Sequence, residues 1–291
     1  MHESSKIRLA IPNKGRIAAP VNELMDKAGI HIRTSADRQL IAKTIDPQIE
    51  ILFVRPIDIP IFVSKGVADI GITGIDMVVE RECERDVINL LNLKFGAARL
   101  VLAVPDSSPI SSVQDLEGLK VATEFPNICR NYFSKHNVNI ELIEMNGACE
   151  AAPQLGVADA IVDLTSSGTT LEINKLRIID ELFSSTTYLI SNKLSISKKR
   201  EKIDEILLAF KSVIAARDQC YLMMNIEKDN LNKILSYLPS LGGPTIMDIA
   251  GSNLIAVHVV VKRERVYQLI NQLKLQGAQG ILVLDITRMV R

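Results

Sequence analysis

The stretch of this 291-residue chain best suited to chemistry is DAIVDLTSSGTTL, residues 159–171. An apolar run ends on an acidic residue, Asp163. Leu164, Thr165, Ser166, Ser167, Gly168, Thr169 and Thr170 follow, a turn rich in hydroxyls and backbone N–H groups. The pattern predicts a strand over 159–164 and a helix over 171–176. Free N–H donors at such a strand-to-helix turn favour phosphate. The helix macrodipole adds only about 0.3–1 kcal/mol, so N–H and hydroxyl contacts must supply most of the grip. No lysine follows the glycine, which separates the turn from the G-x-x-x-x-G-K-[ST] nucleotide loop. The plainer reading is a Ser/Thr N-cap after a strand. Asp163 shifts the balance: a carboxylate beside an anion cradle repels simple phosphate but suits a sugar phosphate. The turn then takes the phosphate, and Asp163 accepts hydrogen bonds from ribose hydroxyls or offsets positive charge on the ring. The alternative for Asp163 is a cap on the loop backbone.

A second candidate is PNKGR, residues 12–16, where Lys14, Gly15 and Arg16 follow the first predicted strand. Open α/β sheets bind ligands at such strand ends, although most lysines are simply solvated charge. The sequence offers no Ser-His-Asp or Cys-His pairing. Its four cysteines, Cys83, Cys129, Cys149 and Cys220, lack C-x-x-C spacing and read as reduced thiols. The four histidines are scattered, which argues against a His-based metal site.

The elements that must position these residues begin with a predicted strand over 7–11 and a helix from residue 17, with Val21, Leu24, Met25 and Ala28 at helical spacing and Gly29 ending it. Further strands are predicted over 49–54, 70–73, 88–93, 100–104 and 186–191. Alternation with helices implies a mainly parallel sheet covered on both faces. GVADIGI (66–72) echoes GVADAIV (156–162), by coincidence or because two similar lobes flank a ligand cleft. Beyond residue 196 the pattern becomes an apolar helix face (Ile203, Ile206, Leu207, Phe210, Val213, Ile214). It continues as strand 220–226, helix 229–238, strands 245–249 and 254–261, helix 264–275 and strand 280–286. That is the βαββαβ, ferredoxin-like order. The expected domains are a first lobe of residues 1–103 plus 184–200, a second of 104–183, and a C-terminal domain of 201–291.

Composition narrows the classes. Hydrophobic residues at 47% suffice for two or three cores. Lys plus Arg equals Asp plus Glu, 34 each, so there is no basic field for nucleic acid or a membrane surface. No apolar run approaches the roughly 18 residues of a membrane span, and the N-terminus lacks signal-peptide features. A cytoplasmic protein is expected.

Taken together, these segments resemble the ATP phosphoribosyltransferases. DAIVDLTSSGTTL resembles that family's signature for binding phosphoribosyl pyrophosphate (PRPP). PNKGR, residues 55–60, GVADIGITGID (66–76), KVATEFPN (120–127), NGACEAAP (146–153) and GAQGILVLDI (277–286) are similar to other family segments. The resemblance spans essentially the whole chain, including the C-terminal domain of the family's long form. It implies an α/β fold with a two-lobed, periplasmic-binding-protein-like core and a ferredoxin-like regulatory domain. It also implies a homo-oligomer, a dimer associating to a hexamer, and the transfer of phosphoribosyl from PRPP to ATP with Mg²⁺ carried mainly by substrate. By the same resemblance Glu150 and Asp163 hold the ribose hydroxyls, Ser166 to Thr170 wrap the 5′-phosphate, and Leu164 and Thr165 also belong to the PRPP-binding stretch. Lys14, Gly15, Arg16 and Arg55 face pyrophosphate or ATP phosphates, and Lys14, Arg16, Glu150 and Asp163 serve catalysis. Histidine, the feedback inhibitor, would bind between copies near Pro244, Thr245 and Ala278, in the turns at 242–245 and 277–278. The rival is a two-lobed solute or effector receptor without catalysis.

Overall fold

A computed structural model of the chain describes residues 6–33, 40–238 and 243–290. Apolar alternation and helical spacing set the first elements: β1 (Ile7–Pro12), α1 (Ala18–Ala28), β2 (Ile41–Lys43), β3 (Ile49–Val54), α2 (Ile59–Ser64), β4 (Ile70–Gly74), α3 (Ile75–Glu80) and β5 (Val87–Asn92). The chain then crosses to a second sheet through β6 (Ala98–Pro105), β7 (Lys120–Thr123), α4 (Pro126–Lys135), β8 (Glu141–Glu144), β9 (Ala160–Thr165), α5 (Thr169–Ile173) and β10 (Leu176–Ser185). It returns through β11 (Thr187–Asn192), followed by α6 (Lys193–Lys198) and α7 (Arg200–Ala216). Val21, Leu24, Met25 and Ala28 are all buried on α1.

Two sheets result, with strand orders β2-β3-β1-β4-β11-β5 and β10-β6-β9-β7-β8. This is the two-lobed α/β arrangement. Each sheet is mixed rather than mainly parallel. β1, β3 and β4 run parallel, as do β7, β8 and β9, but β11 is antiparallel to β4 and β5, and β6 is antiparallel to β9 and β10. β2 adds an antiparallel edge strand on β3, and β6 and β11 follow the two crossings, whose chains enter each sheet against its parallel set. For the same reason residues 98–103 and 184–185 belong to the second sheet, not the first lobe where the sequence pattern puts them.

The crossings lie side by side. The Leu93 N–H donates to the Thr187 carbonyl at 3.0 Å, and Thr187 N–H and Thr186 Oγ1 each donate to Phe95 O at 3.2 Å. Helix α3 also bridges the lobes, with Val78 buried in the first core and Met77 and Val79 packed against the second. Its two carboxylates are buried links. Ser185 Oγ donates to Asp76 Oδ1 at 2.7 Å, and the N–H groups of Asn127 and Ile128 donate to the Glu80 carboxylate at 3.1 and 3.0 Å.

The echo between residues 66–72 and 156–162 is structural. Asp69 accepts from the Arg8 N–H at 2.9 Å and its own N–H donates to Arg8 O, locking the start of β4 to β1. Asp159 treats Lys120 identically, at 2.9 and 2.8 Å, locking β9 to β7.

The chain divides into two compact units, residues 1–207 and 208–291, with the division inside α7. The second contains β12 (Gln219–Glu227), α8 (Leu231–Leu235), β13 (Thr245–Asp248), β14 (Leu254–Lys262), α9 (Val266–Leu275) and β15 (Gln279–Asp285). Its antiparallel sheet, ordered β13-β14-β12-β15, has one face sealed by Ile234, Leu269 and Leu273. That is the ferredoxin-like order. The helix expected over 229–238 is shorter, a 3-10 turn over Lys228–Asn230 and then α8.

Candidate active site

Parallel strands β7 and β9 carry the site at their C-terminal ends. Asp163 sits on β9, half-buried, its Oδ1 accepting the Leu164 N–H at 2.7 Å. Burial, and then the charges of Glu150 and Glu124, push its carboxyl up to about 6 against the ordinary 3.8. Glu150 reaches this face from a 3-10 turn, Cys149–Ala151, whose neighbour Ala152 packs on the same core as Ile161. The buried Cys149 thiol is pushed up to about 12 by burial and by the Asp163, Glu124 and Glu150 charges, so it stays a neutral packing group. All four cysteines are free and buried.

After Asp163 the chain forms a pre-shaped loop. The Gly168 N–H donates to Thr165 Oγ1 at 2.9 Å, Ser167 Oγ and Thr169 Oγ1 lie 3.0 Å apart, and the Glu172 N–H closes on Gly168 O. Gly168 has φ +85°, a left-handed turn that a Cβ would strain. Ser166, Ser167, Thr169 and Thr170 are exposed, while Thr165 is buried beneath them and Leu164 is half-buried. The helix behind the loop is only the five residues of α5. The expected continuation to 176 fails because Lys175 turns left-handed (φ 54°) and Leu176 opens the long β10. A five-residue helix has little macrodipole, so local N–H and hydroxyl groups carry the anion affinity.

The basic candidates gather on the first lobe. The Asn13 N–H donates to Val54 O at 2.9 Å, setting the loop of Lys14, Gly15 and Arg16 beside Arg55. All four residues are exposed. Arg16 is committed to the crossing, its Nη1 donating to Gly96 O at 2.8 Å and Ala97 O at 3.2 Å. Thus Asp163, Glu150 and residues 164–170 form one acidic, hydroxyl-rich face, and Lys14, Gly15, Arg16 and Arg55 form a basic corner.

Comparison with known proteins decides what this pairing belongs to. The family model described as ATP phosphoribosyltransferase matches residues 55–212, and the one described as HisG, C-terminal domain matches residues 216–288. The chain is 49% identical over 290 residues to the ATP phosphoribosyltransferase of Methanosarcina barkeri, covering 98% of this chain and 99% of that one. The ATP phosphoribosyltransferase of Methanocaldococcus jannaschii is 48% identical over 288 residues, covering 98% of this chain and all of the relative.

The chain belongs to the ATP phosphoribosyltransferase family.

A chain of the ATP phosphoribosyl transferase (HisG:HisZ) complex from Thermotoga maritima superposes with TM-score 0.65 at 33% identity. The match covers 72% of this chain and 98% of that one. The solute-receptor alternative is not favoured: this member of the family is an enzyme, a pentosyltransferase of histidine biosynthesis.

Within this phosphoribosyltransferase, the expected histidine residues do not converge in a single copy. Thr245 opens the edge strand β13, while Ala278 precedes the opposite edge strand β15, with β14 and β12 between them. Thr245 is exposed, Pro244 half-buried and Ala278 buried. Gly242, expected in the same turn, lies outside the described residues. Among the described residues, no group of three or more His, Cys, Asp or Glu is arranged to hold a metal ion.

A neighbour of the acidic face carries no chemical signal in the sequence. Glu124, next after β7, contributes to the upward shifts of both Asp163 and Cys149. Its segment, KVATEFPN, carries the family resemblance, but a glutamate shortly before a helix reads as a solvated charge.

Proposed function

We propose that the acidic face holds the ribose of PRPP while the loop of residues 164–170 takes its 5′-phosphate, and that adenine N1 of ATP displaces pyrophosphate at the anomeric carbon. The observation that carries this reading is Asp163 beside a pre-shaped, exposed hydroxyl loop. Adenine N1 is unprotonated at neutral pH, so the nucleophile needs no base. The barrier lies in separating an anionic leaving group from a ring carbon that becomes oxocarbenium-like. Asp163 and Glu150 accept from the ribose hydroxyls and offset that positive charge. Lys14 and Arg55, with the Arg16 atoms not spent on the crossing, draw off pyrophosphate charge. Alignment of the two reactants supplies about 7–11 kcal/mol. Mg²⁺, carried in with PRPP and not held by a dedicated protein site, would neutralise charge on the departing pyrophosphate beside Lys14 and Arg55. The product is N1-(5-phosphoribosyl)-ATP, the first step of histidine synthesis.

In the same reading histidine binds where the β13 edge of one copy meets the Gly277–Ala278 turn of another, which makes inhibition depend on assembly, from dimer to hexamer. Support comes from the placement of those residues on opposite sheet edges. The matched C-terminal domain supports a long-form enzyme that carries its own regulatory domain, and the proposed compartment is the cytoplasm. The test is pyrophosphate release on mixing the protein with ATP, PRPP and Mg²⁺. Release that requires all three, stops with EDTA and returns with excess Mg²⁺ supports the reading. No release with all three present refutes it.

A further inference from the structure

Glu124 lies one place beyond β7, and the parallel register pairs Thr123 with Val162, which sets Glu124 beside Asp163 at the ends of adjacent strands. Adjacent strands run about 4.8 Å apart. Both residues also face the same way. Ala122 and Ile161, two places before each, share the core beneath the Cys149–Ala151 turn, whereas Val121, Ala160 and Val162 line the opposite core. Side chains alternate between faces along a strand, so Glu124 and Asp163 stand together under Glu150. The loop above passes close to this carboxylate. Gly147, at φ +116°, would place a Cβ 3.5 Å from a Glu124 carboxylate oxygen. Glu124 itself is exposed, and none of the three carboxylates forms an ion pair among the described residues.

Given the ribose assignment above, on which this rests, we infer that Glu124 is a positioning residue that sets the charge Asp163 presents to the sugar. The groups facing Asp163 are few. Glu124 comes from β7, and Glu150 and Cys149 from the 3-10 turn. On β6 the paired residue is the uncharged Val101, and nearby Arg99 is engaged with Glu181. Desolvation, and then the Glu150 charge, push the Glu124 carboxyl up as well. Removing the Glu124 charge makes Asp163 easier to ionise.

The test is the pH profile of kcat/KM for PRPP in wild type, Glu124→Gln and Glu124→Asp, since that ratio reports groups of the free enzyme. Comparison with wild type cancels the titration of the substrate. Expected for Glu124→Gln is an acid limb moved to lower pH, with kcat on the plateau within about threefold; Glu124→Asp restores the wild-type limb. An unmoved limb in an active Glu124→Gln enzyme overturns the inference and leaves the ribose assignment intact. A uniform loss at every pH also overturns it, because that marks a substrate contact or a structural role. A second readout needs no activity: Asp163→Asn should raise the melting temperature at pH 7.5 by less in a Glu124→Gln background than in wild type. Equal gains overturn the coupling even if wild type releases no pyrophosphate.

Discussion

At the scale of single residues, Asp163 stores a conflict. Its carboxyl is desolvated and faces like charges, so ionising it at neutral pH costs folding free energy. Between pH 3.8 and about 6 the folded chain keeps a proton that the unfolded chain has lost, so this contribution to stability falls as pH rises through that window. Asp163→Asn retains an acceptor for the Leu164 N–H and removes the charge. It should raise the melting temperature at pH 7.5, with the gain vanishing near pH 4, while turnover falls by about 100-fold or more. Calorimetry at the two pH values and a pyrophosphate assay check both halves; a variant that melts lower at pH 7.5 contradicts the electrostatic account. Asp163 was legible because an acid beside a hydroxyl turn is chemically odd, and Glu150 only through the family resemblance of its segment. Glu124 was not, because only the strand register sets it beside Asp163, and register is a long-range property.

The loop and its flanking elements separate what local pattern can and cannot announce. The turn at 164–170 was readable from composition, since hydroxyls around a glycine favour it wherever the fold puts it. The short α5 was not, for the apolar residues at 171, 173 and 176 suit either one helix or a helix followed by a strand. The ten-residue β10 resolves that ambiguity by pairing with β6, seventy residues earlier in the chain. Gly168→Ala forces a Cβ into a left-handed backbone at the anion loop. The expected cost is about 1 kcal/mol in stability and at least tenfold in ribose 5-phosphate affinity, read by urea unfolding and calorimetric titration. Unchanged affinity would put the phosphate elsewhere. Arg16 is a further case at this scale. Its bonds to Gly96 and Ala97 tie the basic loop to the crossing, so Arg16→Ala should weaken PRPP binding and also raise hydrogen exchange at residues 95–97.

For the molecule as a whole, the division into lobes followed from the alternation of elements and the echoed segments, but the role of α3 did not. Only the packed structure shows that Met77 and Val79 serve the second core and that Glu80 caps α4 from the other lobe. Glu80→Ala strands the N–H groups of half-buried Asn127 and buried Ile128 and should cost about 1–3 kcal/mol. Because those groups begin the helix just after Glu124, the variant should also lower turnover. Urea denaturation and steady-state assays check both, and full stability in the variant would show that the link carries nothing. In the C-terminal unit the order of elements was visible in the sequence. The placement of Thr245 and Ala278 at opposite sheet edges was not, since it depends on how the strands are threaded.

The matching Asp69 and Asp159 locks act at a distance from the residues they align. A strand tied at its start to a neighbour by an aspartate that grips both the N–H and the carbonyl of one residue occurs once in each half. Each clamp pins its strand at the end remote from the chemistry, so it decides which residues finish level at the other end: the Lys14 loop follows β1, and Asp163 lies near the end of β9.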